Sequence, residues 1–137
     1  MQMSLIIKRP VVIQHVVTAE FKSQLTNEIE EAINQIDLWL EQEEFQSRRL
    51  ITEAEKEGKE FVSSLRQEIE AERGKQTQVR QNLLARLQEV KQLEIDSFFV
   101  SGTYDAPIKI EVGDNIRTKL SQVQVVVKDG IVIQVIE

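Results

Sequence analysis

The sequence predicts an α+β protein: a long antiparallel α-helical hairpin, forming a coiled-coil-like stalk, with a small, mostly antiparallel β-domain formed by the N-terminal strand and the C-terminal strands. Two observations lead to this prediction. β-branched runs with turn signals stand at both ends of the chain, whereas the region between them is rich in charge and has apolar residues at helical spacing. One glycine, Gly58, lies near the midpoint of that region and marks a reversal of the chain.

The N-terminal segment, residues 1–17, is predicted to supply a strand. Val11 to Val17 is a β-branched run between Pro10 and Thr18, and Thr18 is a candidate helix cap. Leu5-Ile6-Ile7 is interpreted as a separate short strand before it.

Residues 18–96 are predicted to form the helical hairpin. The first apolar stripe recurs every 3.8 residues on average, at Phe21, Leu25, Ile29, Ile33, Ile36 and Leu40. The second recurs every 3.6 residues, at Phe61, Leu65, Ile69, Glu72, Gln76, Val79, Leu83, Leu87 and Val90, with two polar interruptions.

A turn at Gly58 brings the two stripes face to face. Residues that oppose each other across an antiparallel turn have numbers with a constant sum, and a turn centred on 58 makes this sum 116. Four apolar pairs meet it: Phe21 with Ile95, Ile29 with Leu87, Ile33 with Leu83, and Ile51 with Leu65.

Two alternatives to this hairpin remain open from the sequence. Gly74 is a rival turn, but it would leave only about 20 residues to pair with a much longer first arm. A continuous helix of about 78 residues could instead form a dimeric coiled coil, although steps of 3.6 to 3.8 residues depart from the 3.5 of a left-handed coil.

Residues 97–137 are predicted to return to β structure. The candidate strands are Phe98-Phe99-Val100, Ile108 to Val112, Val123 to Val127 and Ile131 to Ile136, with a turn at Val112-Gly113-Asp114 and a short helical or irregular segment from Asn115 to Ser121. Asp129-Gly130 between the last two runs predicts a tight hairpin with a type I′ turn.

Composition excludes several classes of function. The chain has no cysteine and a single histidine, His15, so it can form neither a disulfide, nor a thiolate metal site, nor a multi-histidine site. The five glycines never form a phosphate-binding loop. Asp105, Asp114 and Asp129 fall in predicted turns, where aspartate bonds the backbone. We therefore expect no enzyme, no cofactor, no metal and no small-molecule substrate.

The distribution of charge along the chain indicates which classes of partner it can bind. The net charge is −6, and residues 18–60 hold twelve acidic side chains against five basic ones, which disfavours binding to nucleic acid without excluding it. The adjacent basic pairs, Arg48-Arg49 and Lys8-Arg9, are the candidate contacts with a partner. No signal segment or membrane-spanning run is found, and we expect a cytoplasmic location.

The two ends of the chain resemble a known family. The run Val11-Val12-Ile13-Gln14-His15-Val16-Val17-Thr18 and the ending Val112-Gly113-Asp114 … Val127-Lys128-Asp129-Gly130-Ile131-Val132, with the helical middle between them, resemble the YlqD family of bacterial proteins. That family is uncharacterised. In some bacteria its genes lie near genes for ribosome maturation and tRNA modification, so the resemblance implies a housekeeping context and supplies no catalytic residues.

The sequence therefore favours a non-enzymatic interaction or scaffold protein, which presents its helical hairpin to a partner or to a second copy of itself. The alternative is an RNA- or ribosome-associated factor in ribosome maturation.

Overall fold

A computed structural model describes residues 3–137; the first two residues of the predicted segment 1–17 lie outside the described part. The chain folds as two compact units. The β-unit comprises the residues up to Ser23 and those from Leu93 onward, and the helical unit is Gln24–Gln92. The elements in chain order are β1 (Ser4–Val16), α1 (Ala19–Ala54), a 3-10 turn (Glu55–Glu57), α2 (Lys59–Lys91), β2 (Phe98–Glu111), α3 (Ile116–Leu120), β3 (Val123–Lys128) and β4 (Ile131–Ile136).

The β-unit contains a four-stranded sheet in the order β2-β1-β3-β4. β1 is antiparallel to β2 and parallel to β3, and β3 is antiparallel to β4. The predicted α+β fold with a mostly antiparallel sheet built from both ends of the chain is thus confirmed.

Two strands are longer than the sequence predicts. Leu5-Ile6-Ile7 and Val11 to Val17 were expected as separate strands, but β1 runs through Pro10 without a break, and β2 likewise runs through Pro107. Proline removes one backbone donor, which is tolerated where no neighbour needs it. β2 is an outer strand, and Pro10 lies just before the part of β1 that pairs with β3.

The predicted turns at Val112-Gly113-Asp114 and at Asp129-Gly130 are confirmed. Asp129 and Gly130 have φ of 50° and 83°, the two positive values that a type I′ turn requires. Gly113 has a φ of 103°, and the Asp114 carboxylate accepts a 2.8 Å hydrogen bond from the Glu111 N–H. The short helix α3 follows, with the Asn115 side chain accepting from the N–H groups of Arg117 and Thr118.

The core of the β-unit lies where the chain enters α1 and returns from α2. Val17 is fully buried, and its backbone bonds Asp96 and Ser97, each at 2.8 Å. Thr18 caps α1 as predicted, since its Oγ1 accepts from the Phe21 N–H at 3.0 Å. The same hydroxyl donates to Asp129 Oδ1 at 2.6 Å, which connects the first turn of α1 to the β3–β4 turn.

The helical unit is an antiparallel hairpin that reverses at Gly58. Gly58 has φ 113° and ψ 165°, a conformation that residues with a side chain rarely adopt. Arg80 of α2 forms an ion pair with Asp37 of α1, and their numbers sum to 117, one more than the predicted register. Gly74 lies inside α2, so the chain does not turn there. The break between α1 and α2 at Gly58 also rules out one continuous helix of about 78 residues.

The first predicted stripe lies on the shielded face of α1, but the second is wrong at three positions. Phe61, Glu72 and Val79 are exposed. The shielded residues of α2 instead recur in steps of three and four, at Val62, Leu65, Ile69, Arg73, Gln76, Arg80, Leu83, Leu87 and Val90. This is a mean step of 3.5 rather than 3.6, and arginine fits it because its aliphatic stem can cover apolar surface while the guanidinium reaches solvent.

Candidate interaction surfaces

α1 carries apolar side chains on the face opposite its shielded stripe. Leu38 and Phe45 are one heptad apart and are 55% and 73% exposed, and Arg49 follows Phe45 by one helical turn. The stripe that packs in the hairpin includes Ile33 and Ser47, both buried, on the other side of the helix. We call Leu38, Phe45 and Arg49 the outer face of α1.

Shallow grooves surround the end of the hairpin near Gly58. One of ≈ 490 Å³ is lined by Glu55, Gly58, Lys59, Val62, Ser63 and Arg66. Two smaller ones, of ≈ 340 and ≈ 290 Å³, lie along α1 and both include Arg49 and Glu53. Their linings are mostly charged or polar and lack the converging apolar walls of a small-molecule site.

The two basic pairs of the sequence belong to different units. Arg48 is paired with Glu44 at 2.9 Å, one turn earlier in α1, and its side chain remains 76% exposed. Lys8 is exposed on β1, whereas the Arg9 side chain is only 15% exposed and pairs with Glu137 at 3.0 Å. The guanidinium groups of Arg48 and Arg9 are thus each partly neutralised within the chain.

An ion pair between Arg80 and Asp37 connects the two long helices. The Arg80 guanidinium donates to both carboxylate oxygens of Asp37, at 2.6 and 3.3 Å. The hydrogen bond and the charge of Asp37 raise the pKa of Arg80 above its ordinary value. The pair joins the two helices at a partly exposed position, one residue from the predicted register.

His15, the single histidine, packs within the β-unit. Its ring stacks on Phe21 with the centroids 5.1 Å apart, and its Nε2 lies 3.0 Å from Ser101 Oγ. Ser101 Oγ also lies 3.4 Å from the Ile13 carbonyl, to which it donates. A nucleophilic serine needs a base that is itself oriented by a third group, and no hydrogen bond from the other ring nitrogen of His15 is found in residues 3–137.

Two of the three aspartates expected in turns lie there: Asp114 accepts from the Glu111 N–H, and Asp129 accepts from Thr18. Asp105 was placed in a turn wrongly, because it lies inside β2 opposite Pro10 of β1. Across the part of the chain that the structure describes, no group of three or more His, Asp or Glu side chains is arranged to hold a metal ion. The same residues contain no helix long and apolar enough to cross a bilayer.

Two surfaces were not recognised in the sequence. Phe45 falls outside the apolar stripe of α1, and this departure from the helical period is the signal that could have revealed the outer face. β4 was recognised as a strand, but nothing in a single sequence states that it is outermost and exposed.

Fold and surfaces together define an α+β protein in which a helical hairpin is inserted between the first and second strands of a small sheet. Comparison with known proteins gives the family. The model of the YlqD protein family matches residues 5–136, and the chain belongs to that family.

A solved structure has the same fold. The crystal structure of a protein of unknown function from Synechococcus sp. WH 8102 aligns with a TM-score of 0.84 and 29% sequence identity, over 98% of this chain and 96% of that one. None of the curated proteins matches the chain.

Proposed function

We propose that this protein is a non-enzymatic interaction or scaffold protein, which offers its helical hairpin to a partner protein or to a second copy of itself. The observation that supports this most directly is the outer face of α1. Phe45, at 73% exposed, is the most exposed aromatic side chain among the described residues of the hairpin.

The hairpin itself does not require this face. A helix that packs on one side needs a single apolar stripe, and α1 already has one that includes Ile29 and Ile33. An aromatic residue with a nearby arginine is the composition that dominates the binding energy of protein interfaces. Leu38, Phe45 and Arg49 therefore fit a contact with another protein.

RNA or ribosomal particles are the second candidate partner. Arg48 and Arg49 both line a groove near the end of the hairpin and could contact phosphate. Against this, Arg48 is already paired with Glu44, and twelve acidic residues within 18–60 would repel a nucleic acid. The charges therefore favour a protein partner.

Affinity capture from an extract of the source cells tests the proposal. The bait is the intact chain, compared with a variant carrying Leu38→Glu and Phe45→Glu and with a control carrying Gln35→Ala, an exposed polar position on the same helix. We expect the wild type and the control to retain the same partner, or the same self-association, and the double variant to lose it. Identical capture and self-association by all three baits would contradict a role for the outer face.

The nucleic-acid alternative has its own measurement. Co-sedimentation with ribosomal particles at low salt should fall when Arg48 and Arg49 are both changed to alanine, if the alternative holds. No co-sedimentation of the wild type even at low salt would remove it. The cytoplasmic location stays a prediction, which fractionation of the source cells can test.

A further inference from the structure

β4 leaves one edge of the sheet open. It pairs with β3 on one side, and no strand within residues 3–137 pairs with its other side. All six residues of the strand are exposed. Five of them are apolar, with exposed fractions from 40% at Ile136 to 69% at Ile131.

The opposite edge of the sheet is built differently. β2 contains Asp105, Pro107, Lys109 and Glu111, and charges and proline in an outer strand oppose pairing with another chain. β4 contains no charge, no proline and no glycine. β4 has one irregularity, a bulge at Ile133 where its pairing with β3 shifts between Val126 and Val127. The β2 edge is thus protected by charges and proline, and the β4 edge by this bulge alone.

The acidic group beside β4 is already neutralised. Glu137 follows the strand and forms an ion pair with Arg9 of β1 at 3.0 Å. Two copies of β4 could therefore approach without bringing unpaired carboxylates together at this point. The only polar residue inside the strand is Gln134, which is uncharged.

We infer that β4 pairs antiparallel with β4 of a second copy across a two-fold axis, which joins two four-stranded sheets into one of eight strands. This inference deepens the self-association included in the proposed function and rests on it. It assigns that association to the sheet edge and not to the outer face of α1.

A second copy fits this edge better than an unrelated strand because the sequence of β4 is compatible with its own reversal. With the two-fold axis at Gln134, apolar residues face apolar residues at four of the five paired positions, and Gln134 faces its own copy. Apolar side chains opposite each other in adjacent strands lie about 4.5–5.5 Å apart and stabilise the pair. A two-fold contact uses the same surface on both copies and leaves no free β4 edge, so assembly stops at two.

The exposed apolar area of β4 is large enough to form an interaction site. Five half-exposed aliphatic side chains amount to on the order of several hundred Å² of apolar surface per copy, the size at which patches on soluble proteins mark interaction sites. A six-residue uncharged β-branched segment left uncovered is also an aggregation hazard, and closed pairing with a second copy removes it.

Cysteine cross-linking can test the register, because the natural chain has no cysteine. A two-fold axis through the middle of β4 places either Ile133 or Gln134 opposite its own copy, with Cα atoms about 4.5–5.5 Å apart, within the range of a disulfide. We expect Ile133→Cys or Gln134→Cys to form a covalent dimer on mild oxidation. Lys109→Cys, on the exposed part of β2, is the matched control and should form no covalent dimer.

Sedimentation equilibrium measures the strength of association. The wild type should be a dimer at micromolar concentration, and Ile133→Lys should raise the dissociation constant by about tenfold or more, because it places like charges at the centre of the pair. Val112→Lys, at an apolar residue that is 78% exposed outside β4, should leave the constant unchanged. Circular dichroism reports whether each variant is folded, and if Ile133→Lys is not, the cross-linking result decides.

Three results would overturn the inference. The first is a wild-type monomer at 100 µM, on the order of the concentration where weak dimers form. The second is a dimer that neither cross-links at positions 133 and 134 nor weakens in Ile133→Lys. The third is a dimer lost only in the Leu38→Glu and Phe45→Glu variant, which would retain the proposed function and assign self-association to the helix.

Discussion

The two units of this molecule are stabilised in different ways. In the β-unit, residues far apart in sequence are bonded and buried together, as Val17 is with Asp96 and Ser97, and Thr18 with Asp129. In the helical unit, one stripe of side chains joins two helices, and most of the remaining surface faces solvent. Substitutions in the helical unit should therefore differ sharply in their effect on the free energy of unfolding, according to the face of the helix that they occupy.

The largest expected effect separates the two faces of α1. Ile33 is buried in the stripe, so Ile33→Ala should lower the free energy of unfolding by about 2–5 kcal/mol through lost burial and a cavity. Phe45→Ala, on the outer face, should change it by less than about 0.5 kcal/mol. Urea unfolding of the chain measures both, and equal losses would mean that Phe45 packs within the hairpin.

A second comparison uses the two glycines of the helical unit. Gly58 has a φ of 113°, so Gly58→Ala should cost about 1–3 kcal/mol of backbone strain although nothing lies within 4 Å of the new Cβ. Gly74 is helical and equally open, so Gly74→Ala should stabilise by about 0.5–1 kcal/mol. Thermal unfolding should show opposite shifts, and a neutral Gly58→Ala would argue against this turn.

The β-unit offers a test of intermediate size. Thr18→Val removes the cap of α1 and the bond to Asp129, and should lower the free energy of unfolding by about 0.5–2 kcal/mol. Thr18→Ser retains the hydroxyl and serves as the control. A loss in Thr18→Ser with none in Thr18→Val would show that the methyl group of Thr18, and not its hydroxyl, supplies the stability.

The smallest expected effect concerns the ion pair between the helices. Asp37→Asn should lower the free energy of unfolding only slightly, because both partners are partly exposed, and the loss should shrink at high salt. The raised pKa of Arg80 means that its contribution is present below the ordinary pKa of arginine and is lost only as pH rises beyond it. The difference between wild type and variant should therefore be constant from pH 7 to about 9, and a decline within that range would point to another titrating group.

Local chemistry made much of the fold predictable. The reversal at Gly58, the type I′ turn at Asp129-Gly130 and the cap at Thr18 each follow from what one or two residues can do with their own backbone. The pairing of β1 with β2 and with β3 joins residues about a hundred positions apart, and no local signal states its register or that β3 is parallel. Pro10 was expected to bound a strand, yet β1 runs through it. A proline ends a strand only where a neighbour needs the missing donor, and that depends on the pairing.

The surfaces were harder to predict than the fold for a related reason. Phe61 and Val79 were assigned to the stripe because they are apolar, yet the shielded face of α2 includes Arg73 and Arg80 instead. Hydrophobicity alone does not separate a residue that packs inside the chain from one that is available to another chain. The exposure of β4 likewise depends on the strand order, which the sequence does not contain.

The position of β1 in the sheet has a consequence for biosynthesis. It is made first, but both strands that flank it come from the C-terminal part of the chain, beginning at Phe98 and Val123. At about 5–20 residues per second, β1 waits on the order of 4–16 s on the ribosome for its first neighbour. Helices form in about a microsecond or less, so α1 and α2 can pair during that delay, and a nascent chain stalled before residue 98 should contain a formed hairpin and an unpaired, protease-sensitive β1.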